Sequence, residues 1–195
     1  SVEYADVNIS NSQLASWTFR KAEKFFDVVT YTGNGVQGRA ISHNLNGTVG
    51  CVIVKRTDAS SGVGWAVWHN SSDNLALNLT SAENQAFNND ISAATSTTFT
   101  VSSYSDLNAS GGSYVAYVFA SDAGGFGEDE DENIIKCGTY TGAGANLNIN
   151  VGFEPQFVLI KCSSNASTNW VMFDTMRGLP VDGNAKDLRP NLSDA

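Results

Sequence analysis

The sequence predicts an all-β protein built of tandem antiparallel β-sandwich repeats, and three observations support this prediction. The polar residues are mainly Asn, Ser, Thr and Gly, which suit turns and weaken helices. Short alternating or wholly apolar segments follow one another and are separated by Gly- and Asn-containing turns. Several of these segments occur twice in the same order, which indicates an internal repeat about one domain in length.

The repeat consists of three matched blocks. The first copy contains VVTYTGNG (28–35), CVIVKR (51–56) and GWAVWH (64–69), and the second contains KCGTYTGAG (136–144), FVLIKC (157–162) and NWVMFD (169–174). The alignment places Tyr140 on Tyr31, Lys161 on Lys55, and Trp170 on Trp65. We therefore expect each pair to occupy equivalent positions in two related folds.

The first copy predicts strands near Phe26–Tyr31, Arg39–His43, Cys51–Arg56, Trp65–His69, Leu75–Leu79, Thr98–Ser102 and Tyr114–Ala120. Leu75, Leu77 and Leu79 alternate with smaller or polar residues, as in a strand half-buried in an antiparallel sheet. Ile53 lies in a continuously apolar segment, so we expect Ile53 and Leu77 in the core. About seven short strands in about a hundred residues describe a β-sandwich. A closed barrel or propeller blades are the alternatives, although propeller repeats are shorter.

The repeat divides the chain into four parts. Leu14–Phe19 alternates as a strand does and matches Tyr114–Phe119, which closes the first copy. We therefore assign 1–26 to the closing strand of a preceding repeat plus a linker, 27–120 to the first β-sandwich repeat, 121–133 to an acidic linker, and 134–195 to a second, incomplete repeat. Asn78–Ala82 recurs as Asn191–Ala195, and we expect the sequence to be a piece of a longer protein.

Charge and composition exclude several classes of partner. The formal net charge of −9 disfavours nucleic-acid binding, which needs clustered Lys and Arg. No apolar run approaches the length of a membrane span, so no membrane insertion is expected. The three cysteines, Cys51, Cys137 and Cys162, occupy unmatched repeat positions and form no zinc motif. We expect them to be small buried thiols, and we expect no cofactor and no metal.

No motif indicates an enzyme. His43 and His69 lack equivalents in the second copy and are expected at solvent-edge strand positions. No nucleophile elbow, phosphate loop or zinc-protease motif is present, and no spacing of acidic residues favours a glycosidase pair. The acidic run 128–132 lacks the alternating ligand spacing of a calcium loop. It is predicted to be a solvated loop, with calcium binding as the less favoured alternative.

The tryptophans are the candidate contact residues. Trp65 and Trp68 lie on opposite faces of one predicted strand, so one of them is expected near a second surface. Trp170 occupies the matching place in the second copy. Exposed aromatic rings suit stacking on a glycan, whereas a second covered face suits subunit contact. We therefore predict Trp65, Trp68 and Trp170 as glycan or subunit contacts.

Seven segments of the sequence together resemble a known family of proteins. The residues that carry the resemblance are SWTFRKAEKFFDVVTYTGNG (16–35), VIVKRTD (52–58), WAVWH (65–69), SGGSYVAYVFA (110–120), IIKCGTYTG (134–142), FEPQFVLIK (153–161) and NWVMFDTMRG (169–178). Joined in this order, they resemble repeat-containing virion proteins of tailed bacteriophages, especially marine phages of cyanobacteria, described as tail-fibre or structural proteins. The resemblance implies location in the virion, contact with other virion proteins and a host surface glycan, and no catalytic residues.

Two alternatives are weighed against this interpretation. A bacterial cell-surface adhesin or carbohydrate-binding module could be built of similar units. A glycoside-degrading tailspike would show long β-helix periodicity, and the sequence shows none.

A homo-oligomer is also expected, because Cys51–Val54 and Phe157–Ile160 are apolar on both faces of their predicted strands. The resemblance to tail fibres suggests that the oligomer is a trimer. Coverage of both faces within one chain is the alternative.

Overall fold

The computed structural model describes residues 10–11, 14–59, 61–87, 90–92, 94–178 and 187–192. Within these ranges the elements are β1 (Phe26–Thr32), β2 (Arg39–Ser42), β3 (Val49–Arg56), β4 (Trp65–His69), β5 (Ser72–Ala76), β6 (Ile91–Ser92), β7 (Thr98–Val101), α1 (Ser105–Asn108), β8 (Ser113–Ala120), β9 (Phe157–Lys161) and β10 (Trp170–Asp174). Every pair of these strands is antiparallel. The prediction of an antiparallel all-β protein is confirmed.

The strands form three sheets. The largest has the order β1-β8-β3-β4-β5, the second has the order β2-β7-β6, and β9 pairs with β10. β8 pairs along most of its length with β1 on one edge and with β3 on the other. The last strand of the first unit therefore lies between its first and third strands and closes the five-stranded sheet.

The five-stranded and three-stranded sheets share one apolar core. Val52 and Val118 contribute to it from the first sheet, and Phe99 and Ile91 contribute from the second. Phe99 is fully buried. Because side chains alternate along a strand, the residues between these positions point to the opposite, outer face of the five-stranded sheet.

Two buried asparagines satisfy backbone groups at the borders of this core. The Asn74 side chain donates to the Ile91 carbonyl at 3.1 Å and accepts from the Ile91 N–H at 2.9 Å, so one amide joins β5 to β6. The Asn108 side chain accepts from the Asn34 N–H at 3.0 Å and donates to the Val36 carbonyl at 2.8 Å. Buried polar groups that are fully paired stabilise one arrangement of the strands around them.

The predicted strands of the first copy lie close to the observed ones, except for the fifth. β5 ends at Ala76, so the expected strand Leu75–Leu79 is displaced. The leucine alternation was misleading because the core-facing residues of β5 are Asn74 and Ala76. The expected burial of Ile53 and Leu77 in the sandwich core is also wrong, since both are only partly buried and lie on the outer face.

The expected equivalence of Tyr31 and Tyr140 is wrong as well. Tyr31 lies in β1, its ring stacks on Tyr114 at 5.0 Å, and its hydroxyl donates to the Leu107 carbonyl at 2.7 Å. Tyr140 lies outside any strand and is 50% exposed. β1 is held as a strand by pairing with β8, and among the described residues no strand pairs in this way with the segment around Tyr140.

The predicted strand Leu14–Phe19 is not a strand in the structure. Its next residues turn sharply, because the N–H groups of Phe25 and Phe26 both donate to the Ala22 carbonyl, at 3.2 and 3.0 Å. The segment therefore reverses direction just before β1 begins.

The acidic segment folds into a compact, exposed turn rather than extending as a spacer. Phe126 and Glu132 form an antiparallel bridge, and the Gly125 N–H donates to the Glu130 carbonyl at 2.8 Å. The chain then returns to the first unit, where the Cys137 N–H donates to the Ser121 hydroxyl at 3.0 Å. A Cβ atom added at Gly50 would lie 2.6 Å from the Cys137 sulfur, so this return requires glycine at position 50.

In the described part of the chain, the single short helix falls far below the length and apolar character that a membrane crossing requires.

A series of leucine truncations tests the assignment of core and surface. Leu107 is fully buried in the core, Leu77 is partly buried on the outer face, and Leu79 is 41% exposed. Leu107→Ala should lower the free energy of unfolding by about 2–5 kcal/mol, because it leaves a cavity. Leu79→Ala should change it by under about 0.5 kcal/mol, and Leu77→Ala should fall between them. Urea denaturation measures all three, and a loss for Leu79→Ala equal to that for Leu107→Ala would contradict the assignment.

Candidate functional site: the outer face of the five-stranded sheet

The outer face of the five-stranded sheet is the candidate functional surface. One row of directly paired residues crosses it, namely Tyr117, Ile53, Val67 and Leu75. An apolar row on the face opposite the core needs a covering partner or remains as an exposed patch. The structure provides a partner for three of these four residues from the same chain.

The partner is the hairpin of β9 and β10. Trp170 and Leu159 pack with Val67, Leu75 and Ile53 in a second apolar cluster, in which Trp170 is 5% exposed. The Trp170 indole N–H donates to the Ala76 carbonyl of β5 at 2.8 Å. The hydrogen bond fixes the depth and direction of the ring, and the apolar contacts supply the area buried between the hairpin and the sheet.

This hairpin repeats the β3–β4 hairpin in register. Lys161 pairs with Trp170 in β9–β10, as Lys55 pairs with Trp65 in β3–β4. The positions predicted to match in this region of the two copies are therefore equivalent. The equivalence of Trp65 and Trp170 is confirmed at the level of strand pairing.

The hydrogen bonds around the hairpin repeat too. The Lys55 ammonium donates to the Val63 carbonyl at 2.5 Å, and the Lys161 ammonium donates to the Thr168 carbonyl at 3.0 Å. The backbone N–H of Trp170 donates to the Asn191 side chain at 2.9 Å. The matching bond in the first copy joins the Trp65 N–H to the Asn78 side chain at 2.8 Å.

The next strand leaves a trace of the same pattern. Val67 pairs with Leu75 of β5, and Met172, which matches Val67, forms a bridge to Leu188. Both backbone N–H groups of that bridge donate across it, at 2.9 and 3.0 Å. The β3–β4 hairpin and one residue pair beside it thus recur in the second half of the chain.

Beside the area that the hairpin covers, the outer face carries three aromatic rings. We call these rings the aromatic ladder: Phe26, Tyr117 and Trp65. Tyr117 is stacked between the other two rings, with centroid distances of 6.4 Å on both sides. The Lys55 ammonium lies 5.8 Å from the Trp65 ring centre, within cation–π range. Trp65 and Tyr117 are half-buried.

The three tryptophans of the predicted contact set therefore lie in different environments. Trp65 belongs to the aromatic ladder, and Trp68 is partly buried against the sandwich core on the opposite face of β4. Trp170 is buried between the hairpin and the sheet. The sequence analysis did not predict Tyr117 and Lys55 as members of this surface. The alternation of β8 was the signal for Tyr117, and the recurrence of Lys55 as Lys161 was the signal for Lys55.

A second aromatic cluster lies where the N-terminal segment meets β9. The Phe19 ring lies 5.7 Å from Phe26, 6.1 Å from Phe119 and 6.0 Å from Phe157. Trp17 also lies 6.0 Å from Phe157, and the Arg177 guanidinium lies 5.4 Å from the Trp17 ring centre. This cluster joins the first unit, the N-terminal segment and the second hairpin.

The histidines are not at the solvent edge as predicted. His43 is 4% exposed, and its Nδ1 accepts the Leu45 N–H at 3.2 Å. His69 is half-buried, and its Nδ1 accepts the Ser71 N–H at 3.2 Å. Burial lowers the pKa of both histidines, and for His43 the nearby Asp27 carboxylate opposes this shift. Both histidines therefore accept structural hydrogen bonds from backbone N–H groups.

The cysteines and acidic residues supply no reactive cluster in the described ranges. Cys51 and Cys137 are half-buried, and burial raises the pKa of Cys51 and raises that of Cys137 to about 12. Cys162 is exposed, which contradicts its expected burial, and a hydrogen bond with Ser164 lowers its pKa. No group of three metal-ligating side chains occurs among the described residues.

One shallow groove lies at the end of the sheet. It has a volume of about 390 Å³ and is lined mainly by hydroxyl-bearing residues: Thr30, Tyr31, Thr32, Thr57, Ser113, Tyr114 and Val115. An open groove without convergent charged groups offers weak contacts to a small ligand, since small-molecule sites are concave and largely enclosed.

Residues 2–195 match a family described as a domain of unknown function (DUF7483). The chain belongs to this family. The match spans the N-terminal aromatic segment, the first unit and the second hairpin together. No curated protein and no solved structure matches the chain.

The Trp170 contact can be tested by two substitutions. Trp170→Ala should lower the free energy of unfolding by about 3–5 kcal/mol, because it removes the largest side chain between hairpin and sheet. Trp170→Phe should cost about 1–2 kcal/mol, since it keeps most apolar area and removes the donor to Ala76. Trp65→Phe is the matched control at the equivalent repeat position and should cost less than Trp170→Phe. Equal losses for the two Phe variants in urea denaturation would contradict the buried contact.

His43 predicts how stability depends on pH. Its folded pKa is lowered from the ordinary value of 6.5, so the unfolded chain binds the proton more readily. The stability that the neutral His43 contributes is fully present above the unfolded pKa of 6.5. Stability should therefore fall as pH decreases from about 7 to 5. His43→Gln should make the profile shallower and leave the part due to His69, because glutamine retains an acceptor for the Leu45 N–H and does not titrate. Unfolding free energies that are equal at pH 7 and pH 5 in the unsubstituted chain would contradict this prediction.

Proposed function

We propose that this chain is a structural component of a tailed-bacteriophage virion, either a tail fibre or a host-attachment protein made of tandem β-sandwich units. The sequence resemblance supplies the identity of the particle. The observation that carries the structural role is the β9–β10 hairpin, which repeats the register of β3–β4 while packing on the outer face of the first sheet.

This packing suits a protein that must hold its shape along an axis. A row of units joined only by flexible linkers would bend at every joint, whereas units joined by a buried apolar face form a stiffer array. The hydrogen bond from Trp170 to Ala76 adds a defined orientation to the joint. The compact acidic turn and the return of Cys137 to Ser121 shorten the connection between the two halves.

The partners follow from the same proposal. Other virion proteins bind its ends, and the working form is a homo-trimer in an extracellular particle. The trimer rests on the resemblance alone, because the apolar outer face that suggested association is partly covered by β9 and β10 of the same chain. Among the large apolar side chains that remain exposed are Ile134, Leu147 and Ile149, in the segment between β8 and β9, and they offer area for contact between copies.

Purified virions provide the direct test. Mass spectrometry of particles banded in a density gradient should detect the chain at a copy number that is a multiple of three per tail or fibre. Labelling with an antibody should place it on the tail. Recovery of the chain only from cell envelopes, and not from particles, would contradict the virion role and favour an adhesin.

A carbohydrate-binding module is the second candidate, and the aromatic ladder is the observation that favours it. The half-buried Trp65 ring offers apolar surface to a sugar, and Lys55 adds a nearby donor. In that case Trp65→Ala should abolish binding to a glycan array, and Trp68→Ala should leave it unchanged because Trp68 packs against the core. Binding that is unaffected by Trp65→Ala would exclude the ladder as the glycan site.

A further inference from the structure

The second half of the chain reproduces two neighbouring strands of the first sheet and one residue pair beside them. It has no described strand in the place of β8. β9, β10 and the bridge at Leu188 correspond to β3, β4 and β5. β3 pairs with β4 on one edge and with β8 on the other. β9 pairs with β10 on one edge, and no described segment pairs with its other edge. An open edge carries unpaired N–H and C=O groups and is a template for another strand.

The N-terminal segment has the side chains that such a strand needs. In the sequence alignment Phe19 matches Phe119 and Trp17 matches Tyr117. In the first unit Phe119 of β8 pairs with Cys51 of β3. This is the first pair after the irregularity between Val49 and Cys51. The residue that matches Cys51 is Phe157, and Phe19 already lies against it with a centroid distance of 6.0 Å.

The same segment has contacts that are incomplete. Leu14 is 56% exposed and Phe19 is 39% exposed, although both are large apolar residues. The indole N–H of Trp17 is buried without a hydrogen-bond partner, while the ring lies 6.0 Å from Phe157. Buried donors are normally paired, so an unpaired one marks a segment whose hydrogen bonding is not yet complete.

In the structure residues 14–20 contact β9 through the rings of Trp17 and Phe19, and no described backbone pairing joins them. We propose that this segment closes on the open edge of β9 and becomes the closing strand of the second unit in the same chain. The register is that of β8 on β3, with Phe19 opposite Phe157, Thr18 opposite Val158, and Trp17 opposite Leu159. This pairing joins a segment that precedes β1 to β9. The second unit therefore takes its closing strand from sequence that precedes the first unit.

Two further observations favour the same chain as the source of the strand. The aromatic contacts at Phe157 are made by Trp17 and Phe19 of that chain. A single family match covers both the segment and β9. The inference concerns strand pairing and does not depend on the virion role.

Disulfide trapping tests the register. In a Cys162→Ser background, Thr18→Cys with Val158→Cys places the two thiols directly opposite each other, where Cβ atoms lie within reach of a disulfide. Ser16→Cys with Val158→Cys is the matched control, displaced by two residues. Mild oxidation of the full chain should cross-link the first pair within one molecule at least several-fold faster than the second. Equal rates for the two pairs, or cross-links only between molecules, would overturn the proposal.

Amide hydrogen exchange provides a second measurement that needs no new cysteine. A closed edge protects every amide of Phe157–Lys161, whereas an open edge leaves alternate amides free. The double variant Trp17→Ser, Phe19→Ser should release those alternate amides by at least tenfold in exchange rate. Tyr140→Ser, which changes an exposed aromatic residue away from β9, should not alter them. Alternate amides of β9 that exchange at unprotected rates in the unsubstituted chain would overturn the proposal.

Discussion

The structure depends on the burial of β3 and β4 on both faces. Their inner face meets the three-stranded sheet, where Phe99 and Ile91 fill the space against Val52 and Val54. Their outer face meets the β9–β10 hairpin, where Trp170 is 5% exposed. A strand that is apolar on both faces is stable in water only if both are covered. The five-stranded sheet therefore lies between the three-stranded sheet and the β9–β10 hairpin.

The connection between the two halves folds back on the first unit, because the outer layer lies on the sheet that it covers. The acidic residues occupy an exposed turn, where they stay hydrated, and the chain rejoins the first unit beside Gly50. The Ser121 hydroxyl both accepts from the Cys137 N–H and donates to the Cys137 carbonyl, at 3.0 and 3.1 Å. This pair of bonds fixes where the second half begins relative to β8.

The sequence predicted the class of fold, most strands of the first copy and the equivalence of the two tryptophan hairpins, because alternation and recurrence are local signals. It misplaced β5, because the residues that face the core there are Asn74 and Ala76, and an asparagine bonded to Ile91 carries no apolar signal. It assigned equal roles to Trp65 and Trp170. Their pairing is equivalent, yet the environments differ, because Trp170 packs on the first sheet whereas Trp65 stacks on Tyr117 in the aromatic ladder. Contacts between distant segments cannot be read from periodicity.

Nuclear magnetic resonance of the full chain tests the covered outer face most directly. If the hairpin of the same chain covers β4 and β5, cross-relaxation should appear between the Trp170 indole and the methyl groups of Val67 and Leu75. The indole N–H, bonded to Ala76, should exchange slowly. In a mixture of differently labelled chains, these signals should remain within one molecule at every concentration. Signals that are absent, or that arise only between differently labelled chains, would contradict the account.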